Sequence, residues 1–289
     1  MPTFRTSDDV TLAYTDEGEG RPVVLVHGYT APAAAWALTV DALRGAGYRA
    51  IAFDRRAHGD SETPTHGQRM ARHGRDLGEL LAHLDLDDDA VVVGASMGGN
   101  TVWAYVDQFG PARLRGVVIV DQTPKMLNVD GWDHGFYGYG AANALTLFAN
   151  GVPDDGNGRT VDRSRAAMDR LVERLGGPPA FRNPSAPETL PLLVDHALQD
   201  WRDVVRRFPR PLLMLAGRDS QLWPCEHAEA AVAQTPMGRA LVIEGAGHAI
   251  SFDQPDAFNE ALLDFLRQHD LDQPDSDQPG IPAPGAGAR

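Results

Sequence analysis

One lysine and one cysteine stand in 289 residues, and what is scarce narrows the reading first. Lys125 is the lone lysine, so the positive charge is nearly all Arg, and 26 basic against 40 acidic residues leave a net charge of −14. A surface so acidic repels nucleic-acid phosphates and anionic lipid headgroups alike, so neither is expected as a partner. Cys225 has no second cysteine with which to form an intrachain disulfide, which fits a reducing compartment. A lone cysteine is ordinarily a small buried hydrophobe. No apolar run is long enough to span a bilayer, and the first residues, Met1-Pro-Thr-Phe-Arg, open no apolar leader. Cys and His nowhere fall at metal-ligand spacing. A cytoplasmic protein without metal or cofactor is the expectation.

What is present is a rhythm. Short β-branched runs recur at Val23–Val26, Ala50–Phe53, Ala90–Val93, Val117–Val120, Leu212–Leu215 and Ala240–Ile243, with helical patterns between them. Runs of that length suit buried strands, and their alternation with helices predicts an α/β fold with a mostly parallel sheet. Val10–Tyr14 alternates and ends at Gly18-Glu-Gly20, which predicts an antiparallel edge strand. Amphipathic patterns mark helices over Asp76–Leu84 and Phe258–Leu266, the latter opened by Pro255.

The rhythm stops between about Pro124 and Asp203. This aromatic- and glycine-rich stretch reads as a lid over residues 124–203, inserted into a core made of residues 1–123 and 204–269. Residues 270–289 are rich in Asp, Pro, Ala and Gly and cannot bury enough apolar surface to order, so they read as a disordered tail.

The chemistry centres on Gly94-Ala-Ser96-Met-Gly98. The bare pattern is weak, but it directly follows the strand at Val91 and opens a helical pattern from Met97. A serine on such a strand-to-helix turn sits in strained backbone, and side chains two residues either side would clash. The turn also aims the backbone N–H of Met97 at the reacting centre, where the helix N-terminus favours negative charge. A serine hydroxyl needs a neighbouring base to accept its proton. Among ten histidines, His248 alone combines a late chain position with a flexible Gly245-Ala-Gly247 approach after the last strand.

With His27-Gly28-Tyr29 after the first parallel strand and Asp54-Arg-Arg-Ala-His-Gly59-Asp-Ser61 after the second, the chain resembles the α/β-hydrolase-fold serine esterases. The likeness runs from about residue 10 to 268, leaving only the lid unmatched. It is specific for the fold and poorly specific for substrate, because that fold hosts many chemistries. The resemblance implies Ser96 as nucleophile, His248 as base and an oxyanion hole made by the backbone N–H groups of Tyr29 and Met97. It also implies that His27 supports the oxyanion loop. Where relatives often carry Gly, this chain has Ala57.

The third member of the triad has two candidates. The family commonly places the acid in a Gly-x-x-Asp-x-x-x-Pro pattern, whose ends fit Gly217 and Pro224. The acid column then falls on Ser220, with Asp219 one residue early and facing the other way in an extended segment. Asp121 directly follows Val117–Val120, where some relatives keep their acid. A turn role through Asp121-Gln-Thr-Pro124 is its bland alternative. Asp121 is preferred over Asp219.

The lid carries Trp132, His134, Phe136, Tyr137, Tyr139, Phe148 and Trp201, with Trp223 just beyond. Trp132, Phe136, Tyr137 and Trp223 are the expected pocket walls, implying a mostly apolar small substrate. Cleavage of a carboxylic ester or lactone leads. A cofactor-free haloperoxidase or perhydrolase, and a C–C bond hydrolase, use the same triad. Dehalogenases and epoxide hydrolases are disfavoured because they attack with Asp. From another class, a ligand-sensing receptor on a hydrolase scaffold would keep the pocket without turnover.

Overall fold

Eight strands form one sheet in a computed structural model that describes residues 1–86, 89–153 and 165–270. In chain order they are β1 (Thr3–Arg5), β2 (Thr11–Glu17), β3 (Pro22–Val26), β4 (Arg49–Phe53), β5 (Ala90–Ala95), β6 (Leu114–Val120), β7 (Leu212–Gly217) and β8 (Gly238–Ile243). Their spatial order is β1-β2-β4-β3-β5-β6-β7-β8. Only the β1–β2 and β2–β4 pairs are antiparallel; the rest are parallel. All six apolar runs are strands. The alternating segment after Val10 is antiparallel as expected but is not the edge, because three-residue β1 pairs outside it. So short a strand carries too little period to be read from sequence.

The helices are α1 (Ala37–Gly45), α2 (Met70–His83), α3 (Met97–Phe109), α4 (Arg165–Leu175), α5 (Leu190–Leu198), α6 (Arg202–Arg207), α7 (His227–Val232), α8 (Ile250–Asp253) and α9 (Pro255–Asp270). They cover both faces of the sheet, so β3, β5 and β6 are buried along nearly their whole length. Alternation sorts the side chains: Val24, Val26 and Val92 join Leu77 of α2 and Trp103 of α3, while Val23, Leu25 and Val93 join Val40 of α1 and Phe258 of α9. The two cores clamp β5 and hold its C-terminal end firmly. No helix among the described residues is long and apolar enough to cross a membrane.

Between β6 and β7 the chain leaves the sheet, running through α4 and α5 and returning by α6. The excursion is drawn together at its base: Trp201 N–H donates to Pro124 O at 2.9 Å and Lys125 pairs with Asp200 at 2.9 Å. The expected boundary at 203/204 falls inside α6, which belongs to both sides of that closure. The expected tail, apart from Asp270 at the end of α9, lies outside the described residues.

Candidate active site

Ser96 sits between β5 and α3 at φ 52° and ψ −132°, a conformation that side chains rarely adopt. The turn is tight enough to demand glycine on both sides. A Cβ on Gly94 would lie 2.6 Å from the Gly99 Cα, and one on Gly98 would lie 2.3 Å from the Val26 carbonyl oxygen. Ser96 N–H donates to Val120 O at 2.9 Å, tying the turn to the neighbouring strand end.

That strand end supplies Asp121. Its N–H reaches across to Leu215 O at 2.7 Å, and its φ is 44°, a left-handed conformation rare outside glycine. The carboxylate is fully buried and fully engaged. Oδ1 accepts from Gly217 N–H at 2.9 Å; Oδ2 accepts from Ser220 Oγ at 2.7 Å and from His248 Nδ1 at 2.8 Å. An ionised carboxylate only accepts, so His248 carries its proton on Nδ1. Nε2 is then left to accept from Ser96 Oγ, 2.9 Å away. The chain order Ser96, Asp121, His248 becomes one hydrogen-bonded line.

His248 is held from three further directions. Its N–H donates to Gln221 Oε1 at 3.0 Å, the Trp223 ring meets it edge-on at 5.2 Å, and Gly247 N–H before it donates to Asp253 Oδ2 at 2.9 Å. Asp219 takes no part in this line. Its N–H donates to Ala246 O, bracing the histidine loop, while the carboxylate bonded to His248 is that of Asp121.

Facing Ser96 is the loop after β3. A Cβ on Gly28 would lie 3.0 Å from the Ser96 Cβ, so the backbone passes the hydroxyl as closely as glycine permits. His27 accepts the Arg55 N–H at Nε2, 2.9 Å away, and therefore donates from Nδ1 to Gly28 O at 2.8 Å. This fixes the carbonyl end of the Gly28–Tyr29 peptide and leaves the Tyr29 N–H, at its other end, facing away. The N–H groups of Tyr29 and Met97 find no acceptor among the described residues. Two such unpaired donors beside a nucleophile can stabilise a developing oxyanion. The Tyr29 hydroxyl reaches Thr189 Oγ1 at 3.0 Å and Pro184 O at 3.1 Å, and Arg182 N–H donates to Thr30 O at 2.8 Å. The excursion is thereby bonded directly to this loop.

Behind the site lies a buried cation that no carboxylate among the described residues pairs with. Arg55 is 1% exposed and donates to Thr101 Oγ1 at 3.3 Å and to Met97 Sδ at 3.5 Å, with His73 at 3.5 Å. Burial pushes its guanidinium down to about 9. Burial and the Arg55 charge together press His58 and His196 down to about 3 and hold His27 and His73 well below the usual imidazole range. These four rings are neutral at any working pH. Arg56 beside it differs, meeting Asp76 through Nε at 2.6 Å and a second nitrogen at 2.7 Å.

A cavity of about 40 Å³ opens beside Ser96, walled by Tyr29, Met97, Phe136, Phe148, Leu193 and Trp223 among others. Phe136 and Trp223 line this cavity. Trp132 and Tyr137 do not line it. Trp132 turns toward α6, donating from Nε1 to Lys125 O at 3.0 Å with Arg202 stacked over its ring. Tyr137 is bound through its backbone, its N–H donating to Leu222 O at 2.9 Å. The wall residues that sequence reasoning missed are Gln122, Met126, Val152, Leu193, His196 and Leu222. Gln122 had a signal, being adjacent to Asp121; Leu193 and His196 lie on one face of α5 and had none outside the fold.

A doubly wound parallel sheet with Ser, His and Asp in line at its strand ends defines an α/β hydrolase. The model of the α/β hydrolase fold family matches residues 21–255, and the chain belongs to that family. It is 31% identical over 280 residues to the non-heme chloroperoxidase CPO-A1 of Kitasatospora aureofaciens, covering 93% of this chain and all of the relative. Among solved structures, a bromoperoxidase from Bacillus anthracis superposes with TM-score 0.73 at 27% identity, over 92% of this chain and 100% of the other. An esterase from Exiguobacterium antarcticum superposes with TM-score 0.74 at 22% identity, over 92% and 98%, which speaks to the fold alone. The protein is therefore an enzyme of the α/β hydrolase family, with esterase-like and haloperoxidase-like relatives.

Proposed function

We propose that this enzyme cleaves a small carboxylic ester or lactone through an acyl-enzyme. The observation that carries the reading is the unbroken line from Asp121 Oδ2 through His248 to Ser96 Oγ, at 2.8 and 2.9 Å. In the first step His248 Nε2 takes the Ser96 proton as Oγ bonds to the substrate carbonyl carbon. The carbonyl oxygen becomes an oxyanion between the N–H groups of Tyr29 and Met97. Collapse of this intermediate breaks the C–O bond, and His248 returns the proton to the leaving alkoxide. Water repeats the sequence in reverse, releasing the acid and Ser96. Asp121 orients the imidazole and stabilises its charged form without itself taking the proton.

The excursion between β6 and β7 acts in this reading as a lid, since its residues Phe136, Phe148, Leu193 and His196 line the cavity. A cavity this small favours a short acyl group. The decisive experiment is hydrolysis of p-nitrophenyl esters of rising acyl length by wild type and Ser96→Ala. Turnover should be greatest for the shortest acyl groups, and Ser96→Ala should lose about 10⁴-fold or more in kcat. A folded Ser96→Ala protein with near-normal turnover would refute the reading.

The relative named a non-heme chloroperoxidase favours a second outcome at the same serine. Hydrogen peroxide in place of water would attack the acyl-enzyme, releasing a peracid and free Ser96. Peracid formation from a short carboxylic acid and peroxide, absent in Ser96→Ala, is the measurement that separates this from plain hydrolysis.

A further inference from the structure

The cavity beside Ser96 is aromatic and aliphatic over most of its wall, yet three of its side chains carry polar atoms without a partner among the described residues. They are Gln122 Oε1, His196 Nδ1 and Trp223 Nε1, on residues 0%, 3% and 1% exposed. A buried polar group left unpaired destabilises the fold, so three such atoms on residues that line one cavity call for an explanation. Trp36, Trp103 and Trp201 also have unpaired indole nitrogens without lining this cavity, so Gln122 and His196 carry the weight.

The chemistry of two of the three atoms is fixed. Gln122 Nε2 donates to Thr123 O at 2.9 Å, which fixes the amide orientation and leaves Oε1 as an acceptor. Trp223 offers a donor, and its ring stands edge-on to His248, next to the reacting centre. His196 is kept neutral by burial and by Arg55, so its ring nitrogens are one donor and one acceptor. A purely aliphatic substrate would seal all three atoms away unpaired. A carboxylate would repel the Gln122 oxygen. The group that satisfies an acceptor and a donor together is a hydroxyl.

We propose that Gln122 and His196, with Trp223, form a hydroxyl-binding subsite, and that the preferred substrates are esters carrying a hydroxyl one or two carbons from the scissile carbonyl. This rests on the hydrolase reading above and specifies its substrate class. The small cavity sets the distance, since there is room beside Ser96 for only a few non-hydrogen atoms. A site built to hydrogen-bond a hydroxyl discriminates strongly against the analogue without it, because its own polar groups are then stranded.

The test compares phenyl acetate with phenyl glycolate, and phenyl propanoate with phenyl lactate, each kcat/KM divided by the hydroxide-catalysed rate of the same ester. The wild type should favour the hydroxylated member of each pair by about tenfold or more. In Gln122→Leu the preference should fall to near one, and in His196→Phe it should fall in the same direction. Should His196→Phe not fold, Gln122→Leu alone decides. A wild-type ratio of one or less overturns the subsite, as expected if the three atoms serve only an ordered water. An unchanged ratio in Gln122→Leu overturns it too. Failure of the wild type to hydrolyse any of the four esters overturns instead the hydrolase reading beneath it.

Discussion

Asp121, the acid of the proposed mechanism, illustrates how much one residue's role can depend on its neighbours. Asp121 receives three hydrogen bonds, one from Ser220, the residue on which the family's usual acid column falls. On the proposed mechanism Asp121→Asn should lower kcat by about 10⁴-fold, because an amide facing Nδ1 selects the wrong imidazole tautomer. Asp219→Asn should change kcat little, and steady-state kinetics on a short-chain ester decides between them. A large loss in Asp219→Asn with none in Asp121→Asn would reverse the assignment. The preference for Asp121 was available from its place after Val117–Val120, but the reason was not. No spacing reveals that Ser220 donates into Asp121. Ser96 and His248 were legible because each lies in a short glycine-flanked pattern tied to a strand end. The cavity walls were not, because Leu193 and His196 lie about a hundred residues beyond Ser96 and reach it only through the packing of α5. Aromatic content alone could not tell Trp132, whose indole donates to Lys125 O, from the aromatics that line the cavity beside Ser96.

At the level of elements, the joint between β5 and α3 stores strain. Ser96 is held at positive φ by the sheet on one side and by the contacts of Gly94 and Gly98 on the other. Such a conformation costs about 1–3 kcal/mol in a residue with a Cβ and little in glycine. Ser96→Ala keeps the Cβ and the strain; Ser96→Gly removes both. Both variants should be inactive, and Ser96→Gly should be the more stable in urea unfolding, by about 1 kcal/mol after glycine's extra chain entropy is subtracted. Equal stabilities would mean that the joint is relaxed. Elements of this kind were readable where a run is long or punctuated by glycine, as at β3, β5 and α3. Three-residue β1 and the helices of the excursion were not, since their positions are set by tertiary contacts.

Taken whole, the molecule keeps at least four neutral imidazoles inside it, and this sets its response to acid. His58 and His196 are pressed to about 3, with His27 and His73 also far below the ordinary value of 6.5. Above about pH 6.5 neither state binds these protons and nothing is lost. As pH falls below 6.5 the unfolded chain takes them up and the folded one does not, so stability declines. The loss is about 1.4 kcal/mol per pH unit for each ring, continuing toward pH 3 for His58 and His196. Asp54 and Asp76, raised by burial, pull the other way, but the imidazoles outnumber them. Against a typical stability of about 5–15 kcal/mol, the melting temperature should drop steeply between pH 6.5 and 5. Thermal melts across that range test this, and a flat profile would contradict the buried neutral rings.

One consequence of the topology concerns time. Ser96, Asp121 and the N–H groups of Tyr29 and Met97 all belong to the first 121 residues, while His248, the partner of the Ser96 hydroxyl, follows the long excursion. A chain emerging from the ribosome therefore displays its serine long before it possesses the histidine that, on the proposed mechanism, would arm it. On the proposed mechanism, until about residue 248 has appeared and β7 and β8 have docked, the nascent protein is chemically silent toward any ester it meets.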